Sequence, residues 1–306
     1  MEIGSGSHRY TVINQWGIFP NNLKIGTTHA LVEDREGNIH IHHTGPDCIV
    51  TCDPDGNLLS AWGTDWHAGA HGMLLNLEGG EEFLYLAATS SGLMVKTTID
   101  GEEVFRISTP PRPDIYDGDH PFVPTETAVA SNGDIYIADG YGQSWIHRYS
   151  PTGEYMDSFG GPGTDLGQLQ CPHGIKIDTR SGEERLLVAD RVNVRLQYFS
   201  LEGKPISAIT RGLRFPCTVN PWGDELYVPD LHSRITIFDK RDKLITHLGD
   251  RPNCWEKEGW PNLPQSDWVE GAFSSPHDVH VDAKGNIYVA EWMSNETGKI
   301  TKLVRV

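Results

Sequence analysis

The chain has 306 residues, 38% of them hydrophobic, with 33 glycines and 19 prolines, which suits a folded, turn-rich protein and excludes a disordered one. A formal charge of −17 argues against nucleic acid or an anionic membrane as partner, because both need a basic footprint. No stretch approaches the ~18 apolar residues that span a bilayer, and the opening MEIGSGSHRY has no apolar signal core, so a soluble cytoplasmic protein is expected.

The first predicted strand, YTVINQWG at 10–17, has no partner beside it in sequence. TTHALVEDREGNIHIHHT (27–44) then reads as a short alternating strand, a Gly-containing turn and a second strand. The pattern returns in GAHGMLLNLEGGEEFLYLAAT (69–89) and VPTETAVASNGDIYIADG (123–140). It returns again in CPHGIKIDTRSGEERLLVADR (171–191), FPCTVNPWGDELYVPDL (215–231) and SPHDVHVDAKGNIYVAEW (275–292). A third and a fourth strand usually follow each copy, as in RLQYFS and KLITHLG. Six copies with starts near 29, 71, 125, 173, 217 and 277 have the period of four-stranded propeller blades. The expectation is one domain over 1–306, all-β, a six-bladed β-propeller. Its last blade ends in KITKLVRV, a third strand lacking a fourth; pairing it with 10–17 closes the ring and removes exposed edges.

The five cysteines have no CxxC spacing and give no disulfide framework; Cys48 and Cys52 share one face of a strand and read as buried thiols. In a blade of this kind the start of the first strand and the end of the second lie on the same face. His71, His173 and His277 each stand at a first-strand start, with His29 at the corresponding place in the first copy. Imidazoles converging on an axis suit a divalent transition metal, zinc before iron or manganese, with His29 as a candidate fourth ligand. Cys217 takes the equivalent position in the fifth copy and reads as buried filler. Tyr141, Arg191 and His232 follow the second-strand aspartates Asp139, Asp190 and Asp230 and are candidate acid–base and anion-holding groups. His42 and His43 alternate along a strand, so at most one of them faces such a site. Two long connections, 108–124 with Tyr116 and His120, and 250–276 with Trp255, Trp260 and Trp268, read as lids over that face.

The repeats resemble NHL-type six-bladed propellers, and the pattern over roughly 29–291 resembles the peptidyl-α-hydroxyglycine α-amidating lyases. AHGM, CPHG and SPHD match that family's metal motifs in order, so the resemblance implies that His71, His173 and His277 hold zinc. ADGYGQS and ADRVNVR match two further motifs, implying Tyr141 as the catalytic phenol and Arg191 at the site. A structural calcium is implied on Asp278 with the carbonyls of Leu31 and Met73. The chain departs from the family in reading HTG, which puts Thr44 where the lyases carry a carboxylate-binding arginine.

The expected function is a metal-dependent lyase, or a related isomerase, acting on a small hydroxylated substrate. His232 or His120 is the second acid–base group in that reading. The alternatives are a calcium-dependent, lactonase-like hydrolase, which needs oxygen ligands, and a non-catalytic NHL interaction platform.

Overall fold

A computed structural model describes residues 1–293 and 298–306. The chain is an all-β, six-bladed propeller made of six antiparallel sheets, with only three single-turn 3-10 helices among the described residues. The residues group into two compact units, 68–211 and 1–67 with 212–306.

In residues 68–211 three four-stranded meanders follow one another. The first strands are Ala70–Glu78, Glu126–Val129 and Pro172–Asp178. The second strands are Glu81–Ala88, Ile135–Ala138 and Arg185–Asp190, rich in the β-branched and aromatic residues that fit a pleated, buried surface. Tyr85, Met94, Ile135, Ile137 and Tyr149 form one core; Tyr136, Ile146, Ile175, Leu186, Val188 and Phe199 form the next. The inner strands of each sheet are therefore buried, and the fourth strands are only partly buried, as in Tyr155–Gly160.

The other unit holds three sheets whose first strands are Thr28–Glu33, Asn220–Trp222 and Pro276–Val281. The last strand, Ile300–Arg305, pairs antiparallel with His8–Ile13, Tyr10 opposite Arg305. The N-terminal segment holds more than one strand: Glu2–Ser5 pairs with His8–Ile13 and makes this sheet five-stranded. GSGS has little β-propensity, but Gly4 sits at φ +83°, where a Cβ would lie 1.9 Å from the carbonyl oxygen of His8. The fifth sheet also differs from expectation. Its first strand starts at Asn220 instead of near 217, and Cys217 contributes one backbone bond, from its N–H to the carbonyl of Pro229. Pro216 and Pro221 have no N–H to give to a ladder.

In four of the sheets the residue that ends the second strand explains how the sheet holds its entering loop. Asp190 accepts from the Gln170 N–H (2.6 Å) and Arg195 Nε (2.7 Å). Asp230 accepts from the Arg214 and Phe215 N–H groups (2.9 and 3.1 Å) and Arg234 Nε (3.0 Å). Glu291 accepts from the Ser274 and Ser275 N–H groups (2.6 and 3.2 Å) and pairs with the fully buried Lys299. In the first sheet an imidazole takes this place: His43 Nδ1 accepts from the Gly26 and Gly45 N–H groups (3.3 and 2.8 Å). Burial lowers the His43 pKa to about 4, which keeps the ring neutral and able to accept. The recurring acids are therefore braces for the loops.

Candidate metal and acid–base site

The four histidines share a local backbone feature. The first- and second-strand ladders shift register at His29, between Thr28 and Ala30, and at His71, between Ala70 and Met73. They shift again at His173, between Pro172 and Gly174, and at His277, between Pro276 and Asp278. A bulge drops one residue out of the pairing and re-aims its side chain. All four imidazoles are buried. Gly72 follows His71 for a steric reason: a Cβ there would lie 2.3 Å from the carbonyl oxygen of Thr125.

Within residues 68–211 the structure brings together four of the sequence-predicted side chains. The Tyr141 hydroxyl lies 2.8 Å from His173 Nε2 and 3.2 Å from His71 Nε2. Arg191 Nη1 donates to the same hydroxyl at 3.4 Å, and its guanidinium stands 5.2 Å from the phenol ring centroid. His71 Nδ1 faces the carbonyl of Thr125 at 2.8 Å, so it carries the proton and leaves a lone pair on Nε2. The loop bearing Tyr141 is fixed at its root by Asp139, which accepts from the Gln143 N–H (2.6 Å), the Val123 N–H (2.7 Å) and the Tyr116 hydroxyl (2.8 Å). Burial raises the Asp139 pKa above the ordinary carboxylate value. Tyr116 thereby ties the connection 108–124 to the Tyr141 loop. His120, on that same connection, is more than half exposed and pairs with Asp117 at 2.7 Å.

In the other unit His277 Nδ1 donates to the carbonyl of His29 at 2.9 Å, and the two rings meet edge to face at 4.8 Å. His29 Nδ1 faces the carbonyl of Thr27 at 3.1 Å, and burial lowers its pKa to about 4. Both rings thus present Nε2 as the lone-pair atom. Buried histidine and cysteine groups among the described residues could hold a metal ion. Asp278 Oδ2 accepts from the Leu31 N–H at 2.8 Å, while Met73 is buried in its own ladder opposite Leu86. Thr44 Oγ1 accepts from the Thr27 N–H at 2.9 Å and so braces its loop.

His232 sits in an aromatic sandwich that the sequence pattern did not reveal. Phe215 stacks on one face at 4.8 Å and 9°, Trp255 on the other at 4.9 Å and 12°, and Trp260 meets it at 5.9 Å and 70°. Arg214 lies 5.0 Å from the Trp255 ring centroid and pairs with Asp250 at 2.7 Å. The connection 250–276 that supplies Trp255 packs Cys254 and Leu263 against Met293 in a small core at the sheet's end. Phe215 lies two residues before Cys217, and only the fold turns it toward His232.

No family model matches the chain. It is 26% identical over 337 aligned residues to peptidyl-alpha-hydroxyglycine alpha-amidating lyase 1 of Drosophila melanogaster, covering 95% of this chain and 59% of that protein. It is 28% identical over 300 residues to NHL repeat-containing protein 3 of Homo sapiens, covering 91% of this chain and 80% of that one. The peptidylglycine alpha-amidating monooxygenase of Rattus norvegicus matches at 26% over 197 residues; these span 60% of this chain and 19% of the monooxygenase. The chain thus covers less than two thirds of the amidating relatives' length. Among solved structures, a streptogramin B lyase superposes with a TM-score of 0.67 at 13% identity, covering 98% and 99% of the two chains. A gluconolactonase from Xanthomonas campestris superposes with a TM-score of 0.64 at 11% identity, covering 97% and 89%. At such identities these two show the fold alone. The chain is a six-bladed β-propeller that resembles the peptidyl-α-hydroxyglycine α-amidating lyases and an NHL repeat-containing protein over most of its length.

Proposed function

We propose that the chain is a metal-dependent lyase acting on a small hydroxylated substrate, with His71, His173 and His277 as metal ligands and His29 as a candidate fourth. The observation that carries this reading is the convergence of His71 Nε2, His173 Nε2 and Arg191 on the Tyr141 hydroxyl. The donor set fits the group, because the Nδ1 bonds of His71 and His277 to backbone carbonyls leave Nε2 as the lone-pair atom on each ring. A zinc ion there, or iron or manganese, supplies Lewis-acid polarisation of a substrate oxygen. Tyr141 takes a proton from, or returns it to, that oxygen through its phenol. Arg191 holds the negative charge that develops on the phenol when its proton leaves. His232, fixed in plane by Phe215 and Trp255, is the second acid–base candidate.

The names of the relatives support a lyase; a calcium-dependent, lactonase-like hydrolase, which needs oxygen ligands, is the second reading. The buried donors are imidazoles, which favour the first. A structural calcium on Asp278, Leu31 and Met73 is a separate proposal from the resemblance, tested by calcium content.

The deciding measurement is metal content per chain in wild type and His173→Ala. About one zinc, iron or manganese per chain in wild type, lost in the variant, is the expected result. Calcium alone in both would overturn the lyase reading in favour of the hydrolase. Arg191→Ala should retain the metal and lose turnover in a screen of hydroxylated substrates.

A further inference from the structure

We infer that Tyr155, Ser158, His147 and Tyr116 form a proton wire from the surface to Asp139, and that the proton it delivers loosens the loop bearing Tyr141. The wire stands on geometry within residues 68–211; only its bearing on turnover rests on the acid–base reading of Tyr141 above.

The direction of every bond follows from the inner end. Tyr116 has one proton and gives it to Asp139 Oδ2 at 2.8 Å. Its oxygen lies 2.6 Å from His147 Nε2, so Nε2 carries the hydrogen of that bond. His147 is held neutral by burial and by Arg112, which leaves Nδ1 as a lone pair. Ser158, opposite His147 in the ladder, therefore donates to Nδ1 at 2.7 Å. With that proton used, Tyr155 donates to Ser158 at 2.8 Å and accepts from Arg112 Nη1 at 3.3 Å. Asp139, Tyr116 and His147 are buried, whereas Ser158, Tyr155 and Arg112 are partly exposed. Phe122 meets the Tyr116 and His147 rings edge-on at 5.9 and 5.8 Å and helps to keep water from the inner links.

A proton arriving at the Tyr155 oxygen moves each hydrogen one place inward in a concerted shift. Tyr155 passes its proton to Ser158, Ser158 to His147 Nδ1, His147 Nε2 to Tyr116, and Tyr116 to Asp139. One proton enters, one ends on Asp139, and the four carriers stay neutral with their bonds reversed. The neutral carboxyl is a weaker acceptor for the Gln143 N–H, now bound at 2.6 Å two residues beyond Tyr141. Tyr116 and Tyr149 are the titratable groups that face Asp139, with His147 behind Tyr116. Arg112 is the charge that reaches Tyr116 and His147, and it is paired with Asp114 at 2.6 Å. Burial brings the proton uptake of Asp139 to a milder acidity than that of an ordinary aspartate.

Nuclear magnetic resonance of full-length protein carrying 15N-histidine tests the wire, with His147→Gln assigning the signal. At neutral pH His147 should carry its hydrogen on Nε2. In Tyr155→Phe and in Ser158→Ala that hydrogen should exchange with water about tenfold more slowly, because the path to the surface is cut. Tyr149→Phe removes a buried hydroxyl with no partner among the described residues and should exchange as wild type does. Hydrogen on Nδ1, or unchanged exchange in both cut variants, would overturn the wire. Protection of the wild-type Gln143 amide should fall about tenfold as pH drops through a midpoint above ~3.9. Constant protection through that range would overturn the loosening of the loop. None of these readouts uses a substrate or a metal, so they stand or fall apart from the lyase reading.

Discussion

The braces at the second-strand ends make a quantitative prediction at Asp230. Its carboxylate is fully buried and accepts four bonds, from the Arg214 and Phe215 N–H groups, Arg234 Nε and the Thr236 hydroxyl (2.6 Å). Asp230→Ala strands the two amides and takes the carboxylate from a guanidinium that is 9% exposed. Arg234 keeps only its bond to the carbonyl of Gly212 at 2.7 Å and a distant contact with Asp250 at 4.0 Å. Breaking a buried ion pair from one side costs about 3–5 kcal/mol, and each orphaned buried donor about 1–3 kcal/mol. The two overlap here, so a loss of about 4 kcal/mol is expected, on the order of a 10 °C fall in Tm. Phe215 is one face of the His232 sandwich, so loosening its amide should also reduce the near-ultraviolet dichroism of the Trp255 stack. The control is Asp224→Ala, which removes an exposed pair with Lys240 and should leave stability unchanged. Chemical and thermal unfolding, followed in the far and near ultraviolet, measures both variants. A cost under ~1 kcal/mol for Asp230→Ala would show that the brace does not hold the loop.

Burial and the nearby Arg112 lower the His147 pKa to about 3, so the folded chain holds this ring neutral, between Tyr116 and Ser158. The unfolded chain takes up a proton near 6.5 and the folded one does not. Stability is therefore complete above pH 6.5 and falls as pH drops toward 3, at ~1.4 kcal/mol per pH unit. Between pH 7 and pH 4.5 His147→Gln should lose ~3 kcal/mol less than wild type, read from denaturant midpoints; an identical loss would refute the assignment. Gly72→Ala should destabilise the chain by about 1–3 kcal/mol and weaken zinc binding, because its Cβ collides with Thr125 beside His71. Trp255→Ala uncovers one face of His232 and the stacked face of Arg214, so it should cost about 1 kcal/mol beyond the lost area and quench the near-ultraviolet aromatic signal. An unchanged signal would show that the sandwich does not persist in solution.

The sequence by itself determined the fold class, because six alternating strand–turn–strand copies of blade length leave few other ways to bury both faces of every sheet. It also marked His71, His173, His277, Tyr141 and Arg191, since each sits at a repeated position and local register is written in the chain. What it left out depends on pairing between strands. The register shifts at the four histidines exist only once each first strand meets its second, so no local pattern announces them. The hairpin at 2–13 was hidden behind glycines and serines whose strand character comes from their partners. His120 and Tyr116 lie four residues apart on one connection, yet one is exposed and the other ties that connection to Asp139. His232 carries the same lesson. Its position after Asp230 was visible, but its place between Phe215 and Trp255, residues 40 apart in sequence, was set by two loops meeting in the fold. Residue type and spacing are local and survive in a string of letters. Which lone pair points at which hydroxyl is fixed only when sheets pack, and the tertiary structure alone decided that.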